Sequence, residues 1–170
     1  FFLRPFSTTE LELFSRYYEL VLKWNDRLHL TTITAPQEFA DRHILESAFA
    51  SQKILHTVNR IWDIGSGAGI PGVPFAILRH DLRVTLIESN KKKTIFLKEV
   101  ISELEIKNLQ VLNQRFETIK RLGPEDGIAT RALDALGRLA PKLFKLGQSV
   151  SQILLLGNNK LLHLTGMYLE

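Results

Sequence analysis

A glycine-rich segment at residues 63–72, Asp-Ile-Gly-Ser-Gly-Ala-Gly-Ile-Pro-Gly, constrains the fold of this chain more than any other feature. It follows a short apolar run at residues 61–64 and precedes an apolar stretch with helical spacing. Glycines let a backbone turn sharply and approach a ligand closely, and the N-terminus of the next helix offers free N–H groups. The segment therefore predicts a ligand-binding turn between a strand and a helix.

Similar strand–helix units recur along the rest of the chain. Short apolar, β-branched runs lie at residues 61–64, 84–87, 109–112, 127–130 and 153–156, with helical patterns between them. Near-continuous apolar strands bounded by helices imply a parallel sheet that is covered on both faces. We expect an α/β, Rossmann-like, doubly wound and mainly parallel sheet over residues 59–170. Further strands that would complete such a sheet are hard to find in residues 161–170, so the C-terminus is expected to be incomplete or divergent.

The first third of the chain predicts a helical cap, residues 1–58, packed on this core. Ser7 and Glu10 have the spacing of a capping box, in which each side chain satisfies a free backbone N–H of the other. Thr34 and Gln37 repeat that spacing before a second predicted helix over about residues 37–56. The aromatic side chains of the first helix, Tyr17 among them, are expected in the core.

Two ligands fit the glycine segment, and a third interpretation needs none. Residues 67–72 match the dinucleotide fingerprint Gly-x-Gly-x-x-Gly, and Glu88 lies 21 residues after Gly67, where a ribose-binding acid belongs. Residues 63–69 also match acid-x-Gly-x-Gly-x-Gly, the pattern of S-adenosylmethionine (SAM) methyltransferases. The third possibility is a glycine turn that only packs a strand against a helix.

The carboxylate of Asp63 favours SAM. A charged residue at the end of an apolar strand is costly without a partner. SAM carries cationic groups and no pyrophosphate, whereas the same carboxylate in a dinucleotide site would lie close to phosphate. The prediction is a class I SAM-dependent methyltransferase, with Glu88 accepting hydrogen bonds from the ribose.

Composition narrows the possible functions further. The chain has no Cys, so it has neither a disulfide framework nor a cysteine nucleophile. No run of about 20 apolar residues and no signal-peptide pattern is present, so we expect a cytoplasmic protein without membrane segments. The His residues lack metal-ligand spacing with carboxylates, and we expect no metal. A net charge of +4 and a pI near 9.4 suit a polyanionic partner. The oligomeric state that we expect is a monomer.

The residues resemble the ribosomal small-subunit methyltransferase G family (RsmG/GidB) over about residues 10–140. The Gly-x-Pro-Gly-x-Pro sequence at residues 69–74 distinguishes that family from other class I methyltransferases. Further matching motifs are Lys-Trp-Asn at 23–25, Arg-His-Ile-Leu-Glu-Ser at 42–47, Thr-Leu-Ile-Glu-Ser at 85–89, Arg-Phe-Glu at 115–117 and Thr-Arg-Ala at 130–132. The chain departs from the family at His29 and Glu46, where the family has Asn and Asp, and at residues 157–160.

The resemblance implies methylation of N7 of a guanosine in 16S rRNA of the small ribosomal subunit, with SAM as methyl donor and S-adenosylhomocysteine as product. It implies a cofactor site in three parts. Gly65 and Ile70 would line the methionine, Glu88, Ser89 and Asn90 would hold the ribose, and Phe116 and Glu117 would contact the adenine. Asp63, Gly67 and Gly69 of the glycine-rich segment would complete the cofactor site.

The resemblance also implies three candidate catalytic residues. Arg131 would lie at the mouth of the active site, where it also contacts the cofactor. Arg42 and His43 would contact the substrate or position the glycine loop rather than act as acid or base. Being adjacent on a helix, they point about 100° apart and cannot both face one ligand squarely.

Guanine N7 chemistry agrees with the residues at hand. The N7 lone pair is nucleophilic in the neutral base, so no general base is needed, and orientation can supply most of the rate. The carboxylates of Glu46 and Asp63 are candidates for favouring the cationic product. Basic residues expected to contact RNA phosphates are Lys91, Lys92, Lys93, Arg115, Lys120, Arg121, Arg131, Arg138, Lys142 and Lys145.

Three other functions stay open at this point. One is a SAM methyltransferase that acts on a small molecule or a protein. Another is a non-catalytic module that binds SAM or a nucleotide while its basic face docks on RNA. A dinucleotide-dependent oxidoreductase is the third.

Overall fold

A computed structural model describes residues 4–131, 141–143, 145–146 and 148–157, together with the backbone of residues 160–165. Six strands form one sheet in these residues. They are β1 (Arg60–Ile64), β2 (Arg83–Glu88), β3 (Leu109–Asn113), β4 (Asp126–Thr130), β5 (Gln152–Gly157) and β6 (Lys160–Thr165). The first five coincide with the five predicted strands to within one residue at each end.

The strand order is β3-β2-β1-β4-β5-β6. Strands β1 to β5 run parallel, and β6 pairs antiparallel with β5. The chain therefore builds the sheet outward from β1 in one direction and then returns to build it outward in the other. Ligands of such sheets bind outside the carboxyl ends of the strands at this reversal, which here lies between β1 and β4.

Two apolar layers cover the two faces of the sheet, as predicted. On one face, α1 (Thr8–Leu28), α4 (Gly72–Leu78) and α5 (Lys91–Glu103) pack against one another and the sheet. On the other face, a second buried cluster contains Phe116, Leu143 and Leu146. The helices of the predicted cap contribute to the first cluster, so the cap and the sheet share one core.

The first predicted capping box is confirmed and the second is wrong. The Glu10 backbone N–H donates to Ser7 Oγ (3.2 Å), and the Ser7 N–H donates to Glu10 Oε2 (2.7 Å). The second helical segment instead begins after Ala35, which has no side-chain oxygen to act as a cap. Pro36 occupies the first turn as expected, since its missing N–H is not needed there.

This second segment is also shorter than predicted and changes its helical type. It consists of α2 (Pro36–Phe39), a π-helical turn (Ala40–Leu45) and α3 (Glu46–Ser51), so it ends at residue 51 rather than near 56. Single π-turns inside α-helices occur frequently at functional sites. This turn carries Arg42 and His43, two of the predicted catalytic residues.

Strand β6 lies in the segment where further strands are hard to find from the sequence. Its six residues pair with β5 from Gly157↔Lys160 to Gln152↔Thr165. Antiparallel neighbours can be joined by a two-residue connection. The sequence between the strands, Asn158-Asn159, has that length but lies outside the described residues, as do residues 166–170.

Candidate functional site

Three glycines of the segment between β1 and α4 adopt left-handed backbone conformations. Gly65, Gly67 and Gly69 have φ angles of 70°, 57° and 93°. A residue with a side chain is destabilised by about 1–2 kcal/mol in this conformation, because its Cβ approaches the following carbonyl oxygen. The Gly-x-Gly-x-Gly spacing thus lets this segment, hereafter the glycine loop (residues 65–69), turn back at the carboxyl end of β1.

Gly72 is required for a different reason, which is lack of space. A Cβ built at this position would lie 2.2 Å from Leu86 Cδ2 and 2.8 Å from Asp63 Oδ2. The helix α4 that begins here is consequently seated directly on β1 and β2. Ile70, expected beside the methionine of the cofactor, is 6% exposed and packs into the core beneath the loop.

The carboxylate of Asp63 lies under the glycine loop rather than at its surface. Asp63 is completely buried, and its Oδ2 accepts a hydrogen bond from the Gly72 N–H (3.1 Å), whereas Oδ1 has no hydrogen-bond partner. Burial raises the pKa of Asp63 to about 7. The sequence suggested a direct contact with the cofactor. The structure differs, because the side chain points inward to the space that Gly72 leaves open.

Glu88, the last residue of β2, is held in place at the loop by two backbone groups. Its Oε2 accepts from the Gly67 N–H (3.0 Å) and its Oε1 from the Asn90 N–H (2.7 Å). Each carboxylate oxygen has two lone pairs, so each can accept a further hydrogen bond. The arrangement suits two adjacent hydroxyl groups, such as those of a ribose.

The two residues after Glu88 have different structural roles. Ser89 is exposed at the edge of the site. The Asn90 side-chain oxygen caps α5 by accepting from the N–H groups of Lys92 (2.9 Å) and Lys93 (3.2 Å). Asn90 therefore contributes to the site chiefly through its backbone N–H, which orients the Glu88 carboxylate.

A cleft of about 270 Å³ opens beside Glu88, with room for a purine ring. Phe116 is only 4% exposed and packs with Ile64 and Ile87, which gives the cleft an apolar floor. Glu117 is exposed at the rim. The cleft brings together residues that are distant in the sequence: Ile64, Gly65, Ile87, Ser89, Gln114, Arg115, Phe116 and Glu117.

A second group of polar side chains surrounds Arg131, the residue after β4. The Arg131 guanidinium donates to the Arg42 carbonyl (2.5 Å), to His43 Nδ1 (2.9 Å) and to Glu46 Oε2 (3.0 Å). Glu46 Oε1 also accepts from Arg42 Nε (2.7 Å). The three predicted catalytic residues are thus in contact, and Glu46 is engaged by two arginines.

The hydrogen bonds of His43 define its protonation. Because Arg131 can only donate, Nδ1 must accept, and Nε2 then carries the hydrogen that it donates to Thr31 Oγ1 (2.9 Å). Burial and the Arg131 charge lower the pKa of His43 to about 4. The ring is therefore neutral at neutral pH, and both nitrogens are occupied. That His43 acts as neither acid nor base stays a prediction.

Arg131 lies on the same edge of the sheet as the glycine loop. The parallel register pairs Asp63 with Ala129, and the Thr130 hydroxyl donates to the Ile64 carbonyl (2.9 Å). Continuing this register places Arg131 level with Gly65. The side chain of Arg131 is 19% exposed, so the cluster reaches the surface beside the loop.

The profile of the rRNA small subunit methyltransferase G family matches residues 10–163. The chain belongs to this family. Ribosomal RNA small subunit methyltransferase G of Pseudomonas entomophila is 38% identical over 146 residues, which cover 86% of this chain and 68% of that protein. The same-named protein of Pseudomonas fluorescens is 41% identical over 128 residues, covering 75% and 59%.

The chain is shorter than its relatives in this family. It spans 56% of the Nitrosomonas eutropha protein, which is 38% identical over 72% of this chain. Across the relatives compared here, the matched share of their own length is between 56% and 68%.

Solved structures with lower sequence identity share the fold of this family member. A Methanococcus maripaludis protein aligns with a TM-score of 0.59 at 12% identity, covering 93% of this chain and 68% of that one. Precorrin-6y C5,15-methyltransferase of Geobacter metallireducens aligns with a TM-score of 0.54 at 18% identity, covering 64% and 60%. The 23S rRNA methyltransferase ErmE gives 0.55 at 15% identity, covering 68% and 46%.

Two residues of the site escaped the sequence analysis. Thr31 was not among the predicted site residues, although it fixes the tautomer of His43. Tyr17 was predicted as core and is fully buried, but its hydroxyl also donates to the Ala68 carbonyl of the glycine loop (2.7 Å). The usable signal was Tyr in place of Phe, since a buried phenol needs a hydrogen-bond partner.

Metal-ligand groups and membrane-spanning helices are both absent from the part of the chain that the structure describes. Within it, no three His, Asp or Glu side chains are grouped as metal ligands. No helix there is long and apolar enough to cross a membrane. Of the basic residues expected to contact RNA, Arg138 lies outside the described residues.

Proposed function

We propose that this chain is a SAM-dependent methyltransferase that methylates N7 of a guanosine in 16S rRNA of the small ribosomal subunit. The observation that carries the cofactor assignment is the Glu88 carboxylate, held by Gly67 and Asn90 beside a purine-sized cleft. Membership of the rRNA small subunit methyltransferase G family supports the reaction and the substrate. A monomeric, cytoplasmic enzyme remains our expectation.

The residues present fit SAM in each of its parts. Glu88 would accept both ribose hydroxyls, and Phe116 and Glu117 would hold the adenine in the cleft. The methionine would extend over Gly65, where the missing side chain and the positive φ let the ligand approach the backbone closely. Bound SAM would supply an electrophilic methyl group: guanine N7 would form the bond to the methyl carbon while the carbon–sulfur bond breaks, and S-adenosylhomocysteine would leave.

The Arg131 cluster supports an acceptor that needs no general base. His43 is neutral but has both nitrogens engaged, by Arg131 and Thr31, so it has no lone pair free for a substrate proton. The Glu46 carboxylate is held by its two arginine partners. Such a site can orient a base for attack, and orientation is what N7 methylation requires.

The first turn of α5 offers a surface for RNA phosphates. Lys91, Lys92 and Lys93 occupy it without any acidic residue in that turn, and Lys91 and Lys92 are exposed. Cations at a helix N-terminus face the positive end of its dipole, which is unfavourable by a few tenths of a kcal/mol or more each. A bound polyanion would reverse that cost. This surface directly follows Glu88 and so adjoins the cofactor site.

The cofactor assignment is tested by calorimetric titration of SAM into Glu88→Ala. We expect SAM affinity to fall by at least about tenfold, since two charge-assisted hydrogen bonds are lost, while RNA affinity stays unchanged. Glu19→Ala, an exposed carboxylate on α1, serves as the matched control. An equal loss of SAM and RNA affinity would contradict the ribose assignment.

The RNA surface is tested through the salt dependence of binding. The double variant Lys91→Glu, Lys92→Glu should reduce the slope of log affinity against log salt by about 1.4–1.8, because each phosphate contact releases about 0.7–0.9 counterions. Lys98→Glu with Lys107→Glu makes the same charge change on exposed residues away from this turn and should have a smaller effect. Equal slopes in the two double variants would make Lys91 and Lys92 bystanders.

The substrate class is tested by offering labelled SAM with purified small subunits, large subunits and a protein extract. Label confined to the rRNA of small subunits supports the proposal. Label in protein or a small molecule would favour the alternative methyltransferase. SAM binding without label in any acceptor would favour a non-catalytic binding module.

A further inference from the structure

A buried phenol of the helical cap reaches the cofactor loop. Tyr17 lies in the middle of α1 and is completely buried. Its hydroxyl donates a 2.7 Å hydrogen bond to the carbonyl of Ala68, which lies between Gly67 and Gly69 in the loop. Residue 17 and residue 68 are brought together only by the packing of the cap on the sheet.

We propose that Tyr17 is a positioning residue for the cofactor: helix α1 holds the glycine loop in its SAM-binding shape through the Tyr17 hydroxyl. This inference rests on the proposed binding of SAM at the glycine loop. It makes the cap a part of the cofactor site, in addition to any contact that the cap makes with RNA.

The loop needs such a restraint because of its glycines. Gly65, Gly67 and Gly69 lack a Cβ and give the loop more conformational freedom than residues with side chains would. The loop must lose this freedom when it adopts one shape, in which all three have positive φ. Its own backbone bonds fix the two ends, from Gly65 N–H to Ile87 O (2.9 Å) and from Gly69 N–H to Ser66 O (2.7 Å). The Tyr17 bond holds the carbonyl side of this second peptide unit, because the Ala68 carbonyl and the Gly69 N–H belong to one planar peptide bond.

Ala68 itself shows why the hydroxyl matters. The residue is 5% exposed, so its carbonyl lies where water has little access. A buried acceptor that loses its donor incurs a desolvation penalty, which the loop would relieve by moving. Phenylalanine at position 17 would keep the ring packing and remove only the donor. The effect would then appear at the loop, where Gly67 N–H also contacts Glu88.

Tyr17 is suited to act as a permanent donor in a rigid setting. Its pKa is raised well above 10, chiefly by burial, so the phenol keeps its proton at neutral pH. Its ring meets Phe39 edge-on at 6.0 Å, and Phe39 in turn meets His43 edge-on at 4.8 Å. Since His43 accepts from Arg131, the same packed rings support both the loop and the Arg131 cluster.

The chain contains a closely matched control for this proposal. Tyr18, the next residue of α1, also donates its hydroxyl to a carbonyl at 2.7 Å, but that carbonyl belongs to Thr34 in the cap. Tyr17→Phe and Tyr18→Phe therefore remove the same group and the same kind of bond from neighbouring positions. Only the first removal touches the glycine loop.

The experiment measures SAM dissociation constants by calorimetry, and kcat and KM on small subunits, for the intact chain and both variants. We expect Tyr17→Phe to weaken SAM binding and raise the KM for SAM by about three- to tenfold, with kcat within about twofold. Tyr18→Phe should leave both constants within about twofold of the parent. A purely structural role would lower the thermal stability of Tyr17→Phe, whose lost hydrogen bond is buried, and leave the SAM affinity of the folded protein unchanged. The Tyr18 bond is exposed, so its loss should change stability less.

Several outcomes would overturn the inference. If the parent binds SAM and Tyr17→Phe binds it equally well, the loop does not depend on the hydroxyl. If the parent fails to bind SAM, the proposed function itself is refuted and the inference falls with it. Hydrogen exchange of the Gly69 and Ile70 amides in the SAM-free proteins gives a second readout, with faster exchange expected in Tyr17→Phe and equal exchange in all three contradicting the proposal.

Discussion

Replacing Asp63 with Asn should change how stability depends on pH. The Asp63 carboxyl is completely enclosed beneath the glycine loop, and one of its oxygens has no hydrogen-bond partner. Burial raises its pKa to about 7, although the Gly72 N–H and Ser66 partly oppose that rise. In the unfolded chain the same group has an ordinary pKa near 3.8.

The sign follows from where the proton is held more tightly. Between about pH 4 and pH 7 the folded protein keeps a proton on Asp63 that the unfolded chain has released, so its contribution to stability is lost as pH rises. The slope approaches about 1.4 kcal/mol per pH unit, which amounts to roughly 2–3 kcal/mol between pH 4.5 and 6.5. Asp63→Asn cannot release a proton and avoids this loss.

The assay is urea unfolding of the SAM-free protein at a series of pH values. The free energy of unfolding of Asp63→Asn, minus that of the parent, should rise by about 2–3 kcal/mol from pH 4.5 to 6.5. Asp26→Asn, an exposed position on α1, provides the control, and its profile should run parallel to the parent. A parallel profile for Asp63→Asn would refute the assignment of a buried, proton-retaining carboxyl.

Four further variants test other parts of the site. His43→Gln should show the opposite pH effect, because the pKa of His43 is lowered to about 4 and the parent therefore loses stability as the pH decreases from about 6.5 to 4. In urea unfolding, the free energy of unfolding of the variant minus that of the parent should rise by about 2–3 kcal/mol towards pH 4. A difference that stays constant with pH would contradict this prediction. Gly72→Ala should destabilise the protein by about 1–3 kcal/mol or more, because the new Cβ overlaps Leu86. Gly67→Ala has open space for its Cβ and should cost about 1–2 kcal/mol from the positive φ alone. Thermal unfolding midpoints equal to that of the parent would refute both estimates. Arg131→Lys should lower kcat at least about tenfold with an unchanged circular dichroism spectrum, because an ammonium group cannot reproduce the planar guanidinium that contacts three acceptors. Full activity would show that these guanidinium contacts are not needed.

The sheet and the glycine loop could be predicted because their causes are local. Apolar runs at the spacing of βα units specify parallel strands, and the glycines mark the positions that need positive φ or lack space for a Cβ. Strand β6 was not predicted, because its partner β5 and not its own pattern determines it. The π-helical turn was missed for a similar reason, since nothing in residues 40–45 disfavours an ordinary α-helix.

The polar contacts of the site depend on tertiary packing, and the sequence predicted only some of them. Helix geometry predicted that Arg42 and His43 cannot both face one ligand squarely, and this stays a prediction. In the structure both contact the Arg131 guanidinium, Arg42 through its carbonyl and His43 through a ring nitrogen. The direction in which Asp63 points was not predictable, because it depends on the space at Gly72. The reach of Tyr17 to the loop likewise depends on how α1 packs.

The central claim is that a methyl group is transferred to guanine N7, and identifying the labelled nucleoside tests it most directly. Small ribosomal subunits lacking the modification are incubated with the protein and labelled SAM, and the rRNA is digested and its nucleosides are separated. The account predicts label in 7-methylguanosine, and little label when Glu88→Ala replaces the parent. Label in any other nucleoside would contradict the N7 assignment, even though the fold and cofactor site would stand.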